Sequence, residues 1–264
     1  MKLRLAINGA GGRMGKRLVA LGSDDPQLQV VAALEWERHP ALGQDAGAFA
    51  GFGELGVPLA AELTTEVDAL IDFSIPEATD KILALCLERK IPLVLATTGH
   101  SNEQKERIRA AAETIPLVWA PSMSLAVNLT MKLTEIAART LKDYTGGVDV
   151  EIIERHHRFK EDSPSGTALR FGEIVSQAMN LTRHVHGREG RPGPRTREEI
   201  GYHAVRVGDN PGEHTIVFGM LGETLELTVR ASNRDCYALG ALAAAKFLVG
   251  KPAGLYTMND VLGL

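Results

Sequence analysis

Between Glu151 and Thr167 the chain reads Glu-Ile-Ile-Glu-Arg-His-His-Arg-Phe-Lys-Glu-Asp-Ser-Pro-Ser-Gly-Thr, a run rich in side chains that move protons and hold anions. A histidine titrates near neutral pH, so one of His156 and His157 can act as a proton donor or a neutral hydrogen-bond partner. In an extended segment the two point to opposite faces and need different jobs. Lys160 supplies a mobile cation. Asp162 and Pro164 break any periodic element, and Ser165-Gly166-Thr167 precede the helical pattern Ala168, Leu169, Phe171, Ile174, Val175, Ala178. Free N–H groups at a helix start attract anions, so the hydroxyls of Ser165 and Thr167 and the backbone at Gly166 form a candidate pocket for a carboxylate or phosphate. The competing reading is a capped helix behind a polar loop, with its histidines on the surface.

A strand must deliver this loop, and Val148, Val150 and Ile152 alternate with Asp149 and Glu151 as a half-buried strand does. A second candidate site lies at the N-terminus. There the apolar run Leu3-Arg4-Leu5-Ala6-Ile7 enters Gly9-Ala10-Gly11-Gly12-Arg13-Met14-Gly15, and a helical pattern follows through Leu18, Val19 and Leu21. A glycine-rich turn between strand and helix lets backbone approach a pyrophosphate. Met14 occupies the third glycine position of the strict pattern, and Gly9, Gly12 and Gly15 instead recur every third residue. A turn without ligand is the competing reading, but Val30 to Leu34 form a second buried strand ending at Glu35. That acid lies 20 residues past Gly15, the spacing at which a carboxylate meets an adenosine ribose.

Strand and helix alternate through the first half. Val67–Phe73, Ile91–Ala96 and Leu117–Ala120 are expected strands; Pro76 opens one helix, whose inner face carries Ile82, Leu83, Leu85 and Cys86, and Ser101 caps another. The fold class expected is α/β: an N-terminal Rossmann-like doubly wound parallel sheet, with ligands beyond the C-terminal strand ends, plus a C-terminal α+β domain with a mixed sheet. Asp72-Phe73-Ser74, Thr97-Thr98-Gly99 and Ala120-Pro121-Ser122-Met123-Ser124 all fall at such ends. From about Val148 the pattern changes to strands at Ile200–Val207, His214–Leu221 and Thr224–Ala231, joined by short turns, and the last thirty residues return to helix. The expected domains are residues 1–124 with 235–264 for the dinucleotide, and 125–234 for substrate and oligomerisation. Arg188, Arg191, Arg195 and Arg197 read either as a basic lid over an acidic substrate or as a solvated loop.

Composition agrees with an ordinary enzyme. The 264 residues, 44% hydrophobic, are enough for a sizeable core, and the net charge of −4 argues against nucleic acid or anionic membrane as partners. The two cysteines, Cys86 and Cys236, make neither a disulfide framework nor a metal-ligand spacing, so no metal and a reducing cytoplasm are expected. No stretch reads as a signal peptide or membrane span.

Taken together, these residues resemble the dihydrodipicolinate reductase family, also called 4-hydroxy-tetrahydrodipicolinate reductase, along nearly the whole chain. The carriers are Gly9 to Gly15, Ile71-Asp72-Phe73, Thr97-Thr98-Gly99 and, above all, Glu154-x-His156-His157-x-x-Lys160-x-Asp162-x-Pro164-Ser165-Gly166-Thr167-Ala168. The resemblance implies NAD(P)H-dependent reduction of a cyclic imine dicarboxylate in diaminopimelate and lysine biosynthesis. It makes His156 the proton donor or acceptor and Lys160 a second donor; His157 binds the dicarboxylate with Gly166 and Thr167, alongside the Ser165 turn. Cofactor contacts would come from Gly9, Ala10, Gly11, Gly12, Arg13, Met14, Glu35, Ala96, Thr97, Thr98, Ala120, Pro121, Ser122 and Met123. A cytoplasmic homotetramer built through the mixed sheet is also implied. Where the family often has an arginine for the 2′-phosphate of NADPH, Trp36 follows Glu35, so NADH is the expected preference, with NADPH use possible through Arg38. Met123 replaces an aromatic residue expected at the nicotinamide wall. The rival readings are another two-domain NAD(P)-dependent amino-acid dehydrogenase and a catalytically silent dinucleotide-binding protein.

Overall fold

The computed structural model describes residues 1–264. In chain order the first elements are β1 (Leu3–Asn8), α1 (Arg13–Asp24), β2 (Leu28–Leu34), α2 (Ala46–Ala50), β3 (Leu59–Ala60), β4 (Ala69–Asp72), α3 (Pro76–Arg89), β5 (Leu93–Leu95), α4 (Asn102–Ala112) and β6 (Pro116–Trp119). Then follow α5 (Leu125–Leu141), β7 (Asp149–His156), α6 (Gly166–Met179), β8 (Arg183–His186), β9 (Glu199–Arg206), β10 (Glu213–Met220) and β11 (Glu223–Arg230). The chain ends with α7 (Asp235–Leu248), β12 (Gly254–Tyr256) and α8 (Met258–Leu262). It divides into two compact units, Met1–Leu125 with Asp235–Leu264, and Ala126–Arg234. No helix is long and apolar enough to cross a membrane.

The first unit holds a seven-stranded sheet in the order β3-β2-β1-β4-β5-β6-β12, with every pairing parallel. Alternation along its strands feeds two cores. Leu5, Ile7, Ala69, Ile71 and Val94 face α1 and α7 through Leu18, Val19, Ala241, Leu242 and Ala245. Ala6, Leu70, Leu93 and Leu95 face α3 and α4 through Ile82, Leu83, Cys86, Ile108 and Ala111. Helices therefore cover both faces, as a parallel sheet requires. Because β2 and β3 run outward on one side of β1 while β4 to β6 run outward on the other, the connections diverge between β1 and β4. A crevice opens there, beyond the strand ends.

The second unit's sheet has the order β11-β10-β7-β9-β8. It is mixed: β10 is antiparallel to β11 and β7, whereas β9 is parallel to β7 and β8. Although β9 and β10 are joined by a short turn, they do not pair with each other; β7 lies between them. The strand β8 was not apparent in sequence because Arg183-His184-Val185-His186 carries no apolar alternation, and three-residue β12 interrupts the expected C-terminal helix. The basic run from Arg188 is neither lid nor solvated loop at two of its positions. Arg188 bonds Glu151 at 2.8 Å and Glu199 at 2.7 Å, and Arg195 pairs with Asp149 and Glu151.

Along β7, side chains alternate. Val150, Ile152, Glu154 and His156 are buried, while Asp149, Ile153 and Arg155 are exposed. The inward face thus begins apolar, against Phe171 and Val175 of α6, and ends in a carboxylate and an imidazole.

Candidate functional site

His156 ends β7 on its buried face, and its Nδ1 lies 2.5 Å from Oε2 of Glu154. Glu154 also accepts two hydrogen bonds from the Arg206 guanidinium, both 2.8 Å, and one from the Ser165 N–H at 3.1 Å. Burial pushes the Glu154 carboxyl up, but Arg206 and then His156 outweigh it and hold the group below its ordinary range. An ionised carboxylate only accepts, so Nδ1 of His156 carries the hydrogen and Nε2 is left for chemistry. Burial pushes the His156 pKa down, more than Glu154 raises it, and the cations Lys160 and Arg206 add to the fall. His157 follows the end of β7 and is half-buried, its ring 6.3 Å from that of Phe159. Lys160 is not the mobile cation expected: its Nζ is fixed 2.7 Å from Asp162.

Ser165 caps α6, its Oγ accepting the Ala168 N–H at 3.1 Å. The same hydroxyl is hydrogen-bonded to Nε2 of His214 on β10 at 3.0 Å. Ser165 is buried, so its hydroxyl is engaged internally and is not the anion ligand expected. What faces outward is the backbone at Gly166 and Thr167, whose N–H groups have no intrahelical acceptor. Gly166 is exposed, and a Cβ there would meet nothing. This end of α6, with its partial positive charge, fits a carboxylate.

His214 is buried against Phe171 and His156, and burial lowers its pKa to about 4. A histidine that stays neutral in the fold but takes a proton when unfolded makes stability fall as pH falls, here through the window from 6.5 to about 4. The loss reaches about 3 kcal/mol at the bottom of the window and then levels off. His214→Gln is expected to flatten this part of the stability profile relative to the parent, measured as urea midpoints near pH 7 and near pH 4.5. Parallel profiles would show that His214 is not the titrating group.

The glycine turn of the first unit forms the other site. Gly9 has φ +76°, and a Cβ on Gly15 would lie 2.0 Å from the Gly9 carbonyl oxygen, so Gly15 lets α1 close on the turn. Gly11 donates its N–H to Glu35 Oε1 at 2.9 Å, and a Cβ there would strike the His39 ring at 2.8 Å. A cavity of about 890 Å³ opens beside the turn, lined by Gly9, Gly12, Glu35, Trp36, Ser74 and Lys81 among others. Its size, and the backbone kept bare by the glycines, fit a dinucleotide. At the neighbouring strand ends, buried Asp72 accepts from Asn8 Nδ2 at 2.6 Å, Ser74 Oγ at 2.6 Å and Thr97 Oγ1 at 2.7 Å, tying together β1, β4 and β5.

Two expectations change here. The Thr97 hydroxyl also accepts the Ser74 N–H at 3.1 Å, so Thr97 has only backbone to offer a cofactor, as do buried Ala10, Ala96 and Ala120. Met123 is in the core, 1% exposed, and its carbonyl oxygen lies where a Cβ on Gly240 would collide, so its side chain is no wall of a nicotinamide site. Thr98, Pro121, Gly12 and Arg13 are exposed, and Ser122 and Met14 half-buried.

Residues 3–123 match the family model described as dihydrodipicolinate reductase, N-terminus, and residues 126–262 the one described as dihydrodipicolinate reductase, C-terminus. The chain belongs to the dihydrodipicolinate reductase family. It is 59% identical over 270 residues to the 4-hydroxy-tetrahydrodipicolinate reductase of Rhodopirellula baltica, covering 99% of this chain and 96% of that one. The protein of the same name from Hahella chejuensis is 46% identical, with 99% of each chain covered. Among solved structures, a dipicolinate-bound dihydrodipicolinate reductase from Paenisporosarcina sp. TG-14 shares the fold with a TM-score of 0.80 at 24% identity, over 98% of this chain and 99% of that one. An amine dehydrogenase from Mycobacterium smegmatis shares it with a TM-score of 0.65 at 14% identity, over 98% and 96% of the two chains.

In this member of the reductase family, the second unit gathers His156, Lys160 and the start of α6 around one loop; the first gathers the glycine turn and Glu35 at one cavity. Sequence reading missed the residues beneath them. For Glu154 the readable signal is its two-residue offset from His156, which puts both on one face of the strand. Arg206 and His214 gave no local signal, being brought in by the pairing of β9 and β10 with β7.

Proposed function

We propose that this chain catalyses the NAD(P)H-dependent reduction of 4-hydroxy-tetrahydrodipicolinate to tetrahydrodipicolinate in diaminopimelate and lysine synthesis. The single observation that carries this reading is the loop after β7, which carries a carboxylate-bound imidazole and an ammonium and leads into the open end of α6, in a chain so similar to relatives of that name. The 4-hydroxyl of the substrate leaves as water to give a conjugated carbon–nitrogen system, and a reduced nicotinamide held by the first unit would supply the hydride that reduces it. The amides of Gly166 and Thr167, with His157, hold a substrate carboxylate. His156 delivers the proton that the resulting enamine needs at carbon, and Lys160 offsets the charge of the dianion and serves as a second donor. The working assembly in this reading is a cytoplasmic homotetramer.

NADH is the preferred reductant in this reading. Glu35 accepts from the Gly11 and Trp36 N–H groups and presents its carboxylate where the ribose edge would lie. A 2′-phosphate would meet that charge, while Arg38 is exposed and lies 4.0 Å from Glu37. The test is steady-state oxidation of NADH and NADPH in parallel, with substrate generated from pyruvate and aspartate semialdehyde by the preceding synthase. The expected result is faster turnover with NADH, and Trp36→Arg should raise the NADPH-to-NADH ratio of kcat/KM about tenfold, equivalent to ~1.4 kcal/mol. Faster turnover of the parent with NADPH would overturn the preference, and no turnover with either would overturn the function.

A further inference from the structure

Three residues bound by one buried carboxylate bear on the site. Oε2 of Glu154 holds Nδ1 of His156 at 2.5 Å and Nη1 of Arg206 at 2.8 Å. Oε1 holds the N–H of Ser165, the cap of α6, at 3.1 Å and Nη2 of Arg206 at 2.8 Å. Glu154 itself is 1% exposed. One carboxylate thus joins the proton-carrying ring to the helix start that faces the substrate's carboxylate. Arg206 is fixed in turn, its Nη2 donating to the Asp162 carbonyl at 2.7 Å and its Nη1 to the Val205 carbonyl at 2.9 Å. From the other side the His156 ring meets His214 edge-on at 5.1 Å, and a Cβ on Gly212 would lie 3.0 Å from its Nε2.

We infer that Glu154, clamped by Arg206, is the positioning residue for proton delivery: it fixes His156 as the Nδ1–H tautomer, so that every proton enters and leaves at Nε2, and it sets that atom's place relative to the carboxylate-binding end of α6. The inference deepens the proposed reaction and rests on His156 being its proton donor. In the step served, the N–H bond at Nε2 breaks and its electron pair stays on the ring. The enamine's pair forms the new C–H bond, and His156 is left neutral with its remaining hydrogen on Nδ1, still donated to Glu154. The imidazolium formed on reprotonation is stabilised by the same carboxylate, the arrangement by which a buried acid orients a catalytic histidine. The charged and titratable groups acting on the ring are Glu154 on the same strand, Lys160 on the loop beyond it, Arg206 on β9 and His214 on β10. Glu154 alone among those in contact with the ring favours its charged form.

Four readouts test this. In the parent protein, the ring-nitrogen NMR signals of His156 should report a hydrogen on Nδ1 when the ring is neutral; a hydrogen on Nε2 alone would overturn the inference whatever the turnover. Glu154→Gln should lower kcat about 10²-fold, the lower end of what a positioned proton donor contributes, with KM for NADH unchanged. It should also move the His156-governed limb of the pH profile to lower pH. Glu154→Asp, which keeps the charge for Arg206 but shortens the reach to His156, covers the case in which the glutamine variant does not fold, and should show the same loss. Glu154→Gln combined with His156→Ala should be no slower than His156→Ala alone, since the two act through one ring. A parental pH limb in a folded slow variant, or losses that multiply, would reduce Glu154 to a structural role. If His156→Ala itself turned over like the parent, the assignment of the proton donor would fail instead, and the NMR result would still judge the tautomer.

Discussion

Lys160→Ala is expected to cut kcat by about 10²–10⁴-fold while the protein stays folded and keeps its affinity for NADH. The side chain lies on a loop and makes one ion pair, to exposed Asp162 at 2.7 Å, so its removal leaves no buried partner uncompensated. It is also close enough to act electrostatically on both His156 and His214. In the proposed reaction a substrate with two carboxylates brings two negative charges toward buried Glu154, and Lys160, paired with Asp162 on the same loop, is the cation expected to offset them. Kinetics with in-situ substrate, circular dichroism and NADH fluorescence titration measure the three quantities separately. A rise in KM alone would make Lys160 a binding group only. A parental kcat and KM would remove it from the site.

The second large effect is expected at the glycine turn, where two substitutions of the same size should behave differently. Gly15→Ala places a methyl 2.0 Å from the Gly9 carbonyl oxygen and 2.6 Å from Ala10 Cα. Both are backbone, and the Gly9 carbonyl is already held by the Gly12 N–H at 3.0 Å, so the turn must open. The expected cost is about 1–3 kcal/mol or more in stability, together with loss of measurable NADH binding. Gly12→Ala meets only the Gly9 oxygen, at 3.2 Å, and Gly12 is an exposed N-cap with φ −71°, so the fold should tolerate it. Its methyl would stand where a pyrophosphate approaches the first amides of α1, and binding should weaken about tenfold or more at nearly parental stability, a contact of ~1.4 kcal/mol or more. Calorimetric titration with NADH and thermal denaturation of both variants check the contrast; equal NADH affinity in Gly12→Ala would move the phosphate site off this turn.

Much of the first unit was legible because its signals are local. Buried strands of β-branched and aliphatic residues, Pro76 opening α3, the Ser101 cap of α4 and the glycine turn before α1 each reflect interactions among residues close in sequence. Strand ends were less legible: the expected strand at Val67–Phe73 is Ala69–Asp72, although the Asp68 and Phe73 N–H groups still bond to β1 at 2.8 and 3.2 Å. The second unit was harder. Turn spacing makes β9 and β10 look like neighbours, yet β7, far earlier in the chain, separates them. A parallel pairing with β9 and an antiparallel one with β10 both satisfy the same alternating pattern, and only packing against α6 chooses between the possible orders.

The sequence by itself determined the doubly wound sheet, the place of the glycine turn, the acid at the end of β2 and the contents of the loop from Glu154 to Thr167, because propensity, periodicity and turn chemistry act over a few residues. The tertiary structure decided which of those side chains remain available. It turned the Ser165 hydroxyl inward to His214, committed Thr97 to Asp72, buried Met123 in the core and fixed Lys160 on Asp162. It also brought Arg206, 52 residues along the chain, onto Glu154 beneath His156. A buried polar group must find its partners wherever the sheet places them, and that choice is made by strand order and register, which no local stretch of sequence encodes.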